Sequence, residues 1–446
     1  MKKSMIKLIL ACILIASLLA STVIMLTGCN DDSTPPTPPA TGTQPTGDGP
    51  DPGQDFPVRH RDYILFGGAR AQSGGFVVFD QSAFGPSFRL WVDEVNARGG
   101  LYLSNYGRHF PIEVLMYDCT SDLGTMIMLY ERLIVEDQVC FIVPPIGTGF
   151  VFALAPLANQ YGYMFITGEG GGLSLVELLE GGDLPYVWFS LNFSETQVPA
   201  LTEILVEHGI ENAFVMYVED LHGAEYRNAT FRYFEAAGIE ILGTQAIPVG
   251  ITDLTPVINT AMALEAQAFL SFAYTAQNHL AATQSMALGY NPDVFLIGPG
   301  GQFEHIANLY GGWEYVEGIM SYGGWNERTS PEAADFLERL LAHNVGNPHH
   351  YVDWQGGLVF YAVLEYLAQA IEAAGTTDNA AVRAIYESGA VFETVLGPTW
   401  YEGQRLAREA FPGNISQWQN GRYEVIDTSH RRTADPIIPK PRWPGQ

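Results

Sequence analysis

The sequence predicts an α/β protein of two Rossmann-like, doubly wound lobes, and three observations carry that expectation. Short β-prone apolar runs alternate with helix-spaced segments from residue 62 onward, a rhythm that yields parallel strands with helices on both faces. The rhythm pauses near residue 190 and restarts at 201, so the sheet is built twice. The chain has 446 residues, too many for one compact core, and is 47% hydrophobic with only 16% charged side chains, as a folded globular protein is. Its 49 acidic against 22 basic side chains, net -27, argue against nucleic-acid binding, which needs basic surface to neutralise phosphate.

At the amino terminus, Lys2, Lys3 and Lys7 precede an apolar run over residues 8–26, the charged and hydrophobic regions of an export signal. The run ends in Leu26-Thr27-Gly28-Cys29, which resembles the lipobox of bacterial lipoproteins, whose cysteine becomes the lipidated first residue. A retained membrane anchor is the competing reading of the same run. Residues 1–28 are therefore expected to be a signal peptide and Cys29 the lipid attachment point. Residues 29–61, rich in Pro, Thr and Gly, read as a flexible tether, and the remainder lies outside the cytoplasmic membrane.

The elements follow in order. A strand at 63–66 leads into a glycine-rich turn at 67–75, a helix at 82–98, a strand at 112–117 and a helix at 125–136. The stretch 139–156 is the most informative: a buried strand at 140–143 is broken by Pro144, Pro145, Gly147 and Gly149, and helical spacing resumes at 150. Such a turn lies at the carboxyl end of a parallel strand, where a helix begins with free N–H groups and partial positive charge. Gly147, Thr148 and Gly149 are thus candidates to hold a carboxylate or carbonyl, with the Thr148 hydroxyl as an added donor. A plain strand-to-helix turn with a threonine cap is the alternative. Strands at 164–167 and 186–190 flank a second glycine turn at 168–172.

The second set comprises helices at 201–208, 226–236, 255–264 and 279–288, with strands at 213–217, 240–245, 268–273 and 294–298. Helices at 331–343 and 356–374 and short strands around 415–426 complete the chain. Once Cys12 leaves with the signal, Cys119 and Cys140 are the candidates for a disulfide. They fall at opposite ends of their strands, beyond bridging distance, so two buried free thiols are expected. No nucleophile elbow, P-loop, HExxH or metal-spaced Cys/His cluster occurs, so neither catalysis nor a metal or cofactor is expected.

Several short motifs occur together: SGG at 73–75, VDEVNARGG at 92–100, YDCTSD at 117–122, YERLIVED at 130–137, YVEDLHG at 217–223, LGYNP at 288–292, GPGG at 298–301 and QWQNGRYEVI at 417–426. In this order the chain resembles type I periplasmic binding proteins of the branched-chain amino acid group, the solute receptors of ABC importers. The resemblance implies two lobes joined by three crossing strands, closing on a solute in the cleft. It implies residues 62–190 and 325–396 in lobe 1 and residues 191–324 and 397–446 in lobe 2. It also implies permease and ATPase partners and a monomeric receptor. A ligand-sensing lipoprotein that reports to a receptor is the rival role for the same two lobes.

Carried over residue by residue, the resemblance puts Ser73, Thr148, Glu169 and Gly170 on the first-lobe side of the solute, and His222 with Tyr274 or Gln277 on the second. Trp325 would wall the cleft at the second crossing. Where the family often has an acidic partner for a ligand ammonium, this chain has Gly300. That departure favours a small organic acid or amide over leucine or valine, because a buried ammonium without a counter-charge is costly.

Overall fold

A computed structural model describes residues 61–446 apart from 169, 192, 349, 411 and 412. The signal segment, Cys29, the tether up to residue 60, and Glu169 lie outside the described residues. Among the described residues the main sheets fall into two systems, one in each half of the molecule, with two small two-stranded sheets besides, and the class is α/β. In the first half Ile64–Arg70 runs parallel to Ile112–Asp118 on one side and Phe141–Ile142 on the other. Beside them a four-stranded sheet contains Phe165–Thr167, Val187–Phe189, Arg405–Leu406 and Tyr401–Glu402. The second half is a seven-stranded sheet in which Met320–Tyr322, Val294–Gly298, Ala268–Phe272, Asn212–Val218 and Glu240–Ile247 are parallel neighbours in that order. Ile415–Gln419 and Arg422–Val425 extend it in antiparallel fashion. The strands Ala268–Phe272 and Val294–Gly298 are buried at every residue, as apolar runs covered on both faces should be.

The structure differs from the expectation at several places, four of which bear on the lobes and the cleft. Gly67 and Gly68 lie within the first strand and not in a turn, and neighbouring side chains there leave no room for a Cβ. A Cβ on Gly67 would stand 2.5 Å from Val139 Cγ1, and one on Gly68 2.8 Å from Met116 Sδ. The helix expected at 82 begins earlier, as a π-helical turn Phe79–Phe84 that runs into Gly85–Ala97. A helix Leu173–Glu180 follows the second glycine turn. The third crossing, expected near Gly397, comes later: Arg405 pairs with Phe189, and the chain joins the other sheet only at Ile415. The side-chain amide of Gln404 fixes this detour by donating to the carbonyls of Leu184 and Val187 at 2.7 and 2.6 Å.

Helices Pro331–His343 and Gly356–Ala374 belong with the first half, where Arg339 Nη1 donates to Glu94 at 2.8 Å and His343 Nε2 meets Asp93 Oδ2 at 2.8 Å. Both thiols are buried and free, as expected. Ile64–Arg70 lies between their strands: the Cys119 amide bonds to the Arg70 carbonyl and the Cys140 amide to that of Leu65. Five residues of strand separate those points, about 16 Å. Burial pushes the Cys140 thiol up to about 11.

Candidate functional site

A cavity between the two halves has about 570 Å³ of space free of atoms, its open mouth included, and three walls built from different local structures. The first wall starts at Gly147, whose φ of 99° lets the chain turn sharply from the Phe141–Ile142 strand into helix Thr148–Gln160. No side chain caps that helix, so its first-turn N–H groups are available to a ligand. Thr148 is buried beside them. Gly170 presses against this turn so closely that a Cβ would lie 2.7 Å from the Gly147 carbonyl carbon. Phe76, Phe79 and Phe84, from the segment leading into Gly85–Ala97, complete the wall.

The second wall is a column of rings. Asp220 caps helix Leu221–Ala237 by accepting from the Gly223 N–H at 3.1 Å. Its other oxygen accepts from the Tyr274 hydroxyl at 2.5 Å. These two bonds fix His222 against Tyr274, with ring centres 5.3 Å apart and planes 21° from parallel. Tyr226, one turn along from His222, stacks on Phe272 at 5.1 Å and on Tyr322 at 4.9 Å. Burial lowers the His222 pKa to about 4 against the opposing pull of Asp220, so the ring is neutral near pH 7. Its Nε2 is buried and has no hydrogen-bond partner among the described residues. Burial likewise raises the Tyr226 and Tyr274 phenols, which stay protonated.

The floor is Asp353, just ahead of helix Gly356–Ala374. Its carboxylate accepts from the Gln355 N–H at 3.0 Å but has no ion pair among the described residues. Burial raises its pKa to about 6, while the Gln355 and Gly356 N–H groups and the Gln302 side chain pull the other way. Rings from the two halves meet over the cavity: Phe76 lies edge-on to Tyr274 at 5.0 Å, and Phe79 to Phe303 at 5.7 Å.

Of the residues singled out from the sequence, Gly147, Thr148, Gly170, His222 and Tyr274 line this one cavity. Gly149 is already in the helix and is not among the lining residues. The Ser73 hydroxyl is engaged elsewhere, donating to Asp118 Oδ2 at 2.6 Å. The Gln277 amide donates to the Val249 carbonyl. The Gly300 N–H donates to Gln302 Oε1 at 2.6 Å, and its neighbours Pro299 and Gln302 line the cavity in its place. Trp325 is a core residue, packed on Phe336 and Trp354 with its Nε1 donating to the Asp353 carbonyl at 3.1 Å. The sequence reading passed over the phenylalanines at 76, 79 and 84, together with Tyr226, Tyr322 and Asp353. Tyr226 shares a helix face with His222 four residues earlier, because helix Leu221–Ala237 begins five residues before the start expected at 226.

Residues 71–421 match the family described as periplasmic binding protein. No curated protein sequence is matched. Among solved structures the chain is similar to a leucine binding protein from Thermotoga maritima, at 17% identity over 81% of this chain and 97% of that one, with a TM-score of 0.67. It is similar also to a branched-chain amino acid transporter substrate binding protein from Streptococcus pneumoniae in complex with isoleucine, at 19% identity, 85% and 100% coverage and a TM-score of 0.68. A solute binding protein of an ABC transporter from Rhodopseudomonas palustris, in complex with 3,4-dihydroxybenzoic acid, gives 19% identity, 86% and 99% coverage and a TM-score of 0.68. At these identities the likeness is one of fold.

Proposed function

Because this chain belongs to the periplasmic binding protein family, we propose that it is the lipid-anchored, extracytoplasmic receptor of an ABC importer, binding its solute between the lobes without catalysis. In this reading Cys29 carries the lipid, the tether spans to the domain, and the closed lobes present themselves as a monomer to permease and ATPase subunits. The lobes comprise 62–190 with 325–406, and 191–324 with 415–446, the last crossing following Leu406.

One observation supports the choice of solute: a helix start and a buried carboxylate with no ion pair line the same ring-walled cavity. The helix start and Thr148 suit a carboxylate. Asp353 suits a hydrogen-bond donor, either an ammonium or a hydroxyl. The rings suit an aromatic or branched apolar body. Asp353 also answers the objection raised by Gly300, since it offers a zwitterion the counter-charge that the expected position lacks. The solute is therefore a small carboxylate with an apolar body and one donor group. Isoleucine and 3,4-dihydroxybenzoic acid, with which two of the similar proteins were solved, carry those groups on different bodies.

A thermal-shift panel on ligand-free protein tests the reading, because a bound solute stabilises by mass action. Acids bearing a donor should raise the melting temperature by several degrees, and their amides and donor-free analogues should raise it less. A panel in which amides match acids would remove the carboxylate from the proposal.

A further inference from the structure

The second glycine turn is held from the opposite lobe. Helix Leu173–Glu180 begins after Gly172, a residue with no side chain to cap it. Glu225, on helix Leu221–Ala237, supplies the missing acceptor across the lobe boundary. Its Oε2 accepts from the Leu173 N–H at 3.1 Å and its Oε1 from the Ser174 N–H at 3.1 Å. The Ser174 hydroxyl donates to the same Oε1. Only 8% of Glu225 is exposed. A carboxylate in this position makes charge-assisted bonds and meets the positive end of the helix dipole.

Gly170 and Gly171 are required by close approaches, and Gly172 lies tightly against Glu225. Gly170 abuts the Gly147 carbonyl, a Cβ on Gly171 would stand 2.0 Å from the Phe189 ring, and one on Gly172 would stand 3.1 Å from the Glu225 side chain. Contact therefore runs without a gap from Glu225 through the glycine turn to the turn that opens helix Thr148–Gln160. On Glu225's own helix, His222 and Tyr226 line the cavity. One side chain thus ties the ring wall of one lobe to the helix-start wall of the other.

We propose that Glu225 is a positioning residue for solute retention, a cap supplied by the second lobe to a first-lobe helix, which holds the lobes together and sets Gly170 over the solute. The retention half of this inference rests on the interlobe cavity being the solute site; the closure half does not. The test uses the full mature chain carrying spin labels at Met128→Cys and Leu264→Cys, two exposed positions in different halves. In protein without solute, Glu225→Ala should lengthen the distance between the labels, and Glu225→Gln, which keeps one acceptor oxygen, should lengthen it less. With isoleucine and 3,4-dihydroxybenzoate as probes, dissociation of whichever binds should quicken about tenfold or more in Glu225→Ala, with association little changed.

Unchanged label distances in Glu225→Ala would overturn the proposal, with or without a known solute. Longer distances together with unchanged dissociation would overturn the retention role. Longer distances in the variant, with no carboxylate binding the wild type, would keep the clasp and remove the solute reading. If Glu225→Ala does not fold, Glu225→Gln and Ser174→Ala take its place, and each must shift the distance in the same direction.

Discussion

The two main walls of the cavity are built on opposite principles. The first-lobe wall offers backbone: a helix start, a glycine turn and one hydroxyl, with phenylalanines in front. The second-lobe wall offers a ring column from Tyr274 through His222 and Tyr226 to Tyr322, fixed to the helix cap Asp220. Backbone donors cannot be removed by changing a side chain, and they hardly depend on pH. A buried ring column is part of the core of its lobe, so changes there cost stability before they change recognition. In the proposed reading this asymmetry separates the tasks, one wall for charge and the other for shape.

The largest expected effect follows from this. Tyr226→Ala should destabilise the protein by about 3–5 kcal/mol in denaturant unfolding, the usual loss for a large buried aromatic side chain. Phe76→Ala, at a half-buried position on the first wall, should cost clearly less. Equal losses would mean that the two walls are equally part of the core.

The floor supplies the next effect. A buried Asp353 whose pKa is raised from 3.8 to about 6 destabilises the folded state at pH 7. Asp353→Asn should therefore raise the stability of solute-free protein at pH 7 by about 1–3 kcal/mol, at 1.36 kcal/mol per pKa unit at most, while weakening a donor-bearing solute. A variant that is both less stable and unchanged in binding would show that Asp353 serves only to hold the backbone at Gln355.

A pH titration of stability sharpens the contrast. Asp353 binds its proton more readily in the folded state, so its contribution improves as pH falls through about 6 toward 4. His222, lowered from 6.5 to about 4, does the reverse: its contribution is complete above 6.5 and is lost as pH falls toward 4, where the unfolded chain is protonated first. The two offset each other in the wild type. Acidification from pH 7 to 4 should thus destabilise Asp353→Asn more steeply than the wild type, and His222→Gln less steeply. Parallel curves for the three proteins would contradict both assignments.

How much was legible in the sequence differs by wall. The Gly147-Thr148-Gly149 turn could be read directly because glycine and proline punctuate an apolar run just where a helix must start. The ring wall was reached through the family resemblance at His222 and Tyr274, but the column behind them was not. Tyr226 and Tyr322 are core residues of their lobe as well as cavity residues, and apolar periodicity does not distinguish the two. Phe79 and Phe84 were missed because a π-helical turn places them, and such a turn has no sequence signature that helical spacing would reveal. Gly300 lies on the expected loop, Gln277 lies in the first turn of helix Thr275–Leu288 and not on a loop, and neither is among the lining residues. Nothing in the sequence singled out Asp353, and only the folded chain makes it the buried acid of the floor. The late third crossing was hidden because it depends on Gln404 reaching two distant carbonyls.

Calorimetry gives the most direct test of the central claim, that a solute carboxylate rests on the first-lobe turn. The acid and the amide of the tightest-binding solute would be titrated into wild type and Thr148→Val. The account predicts that the amide binds the wild type more weakly, that Thr148→Val costs the acid about 1–3 kcal/mol, and that the same substitution costs the amide much less. Losses that simply add, with Thr148→Val weakening acid and amide equally, would contradict it.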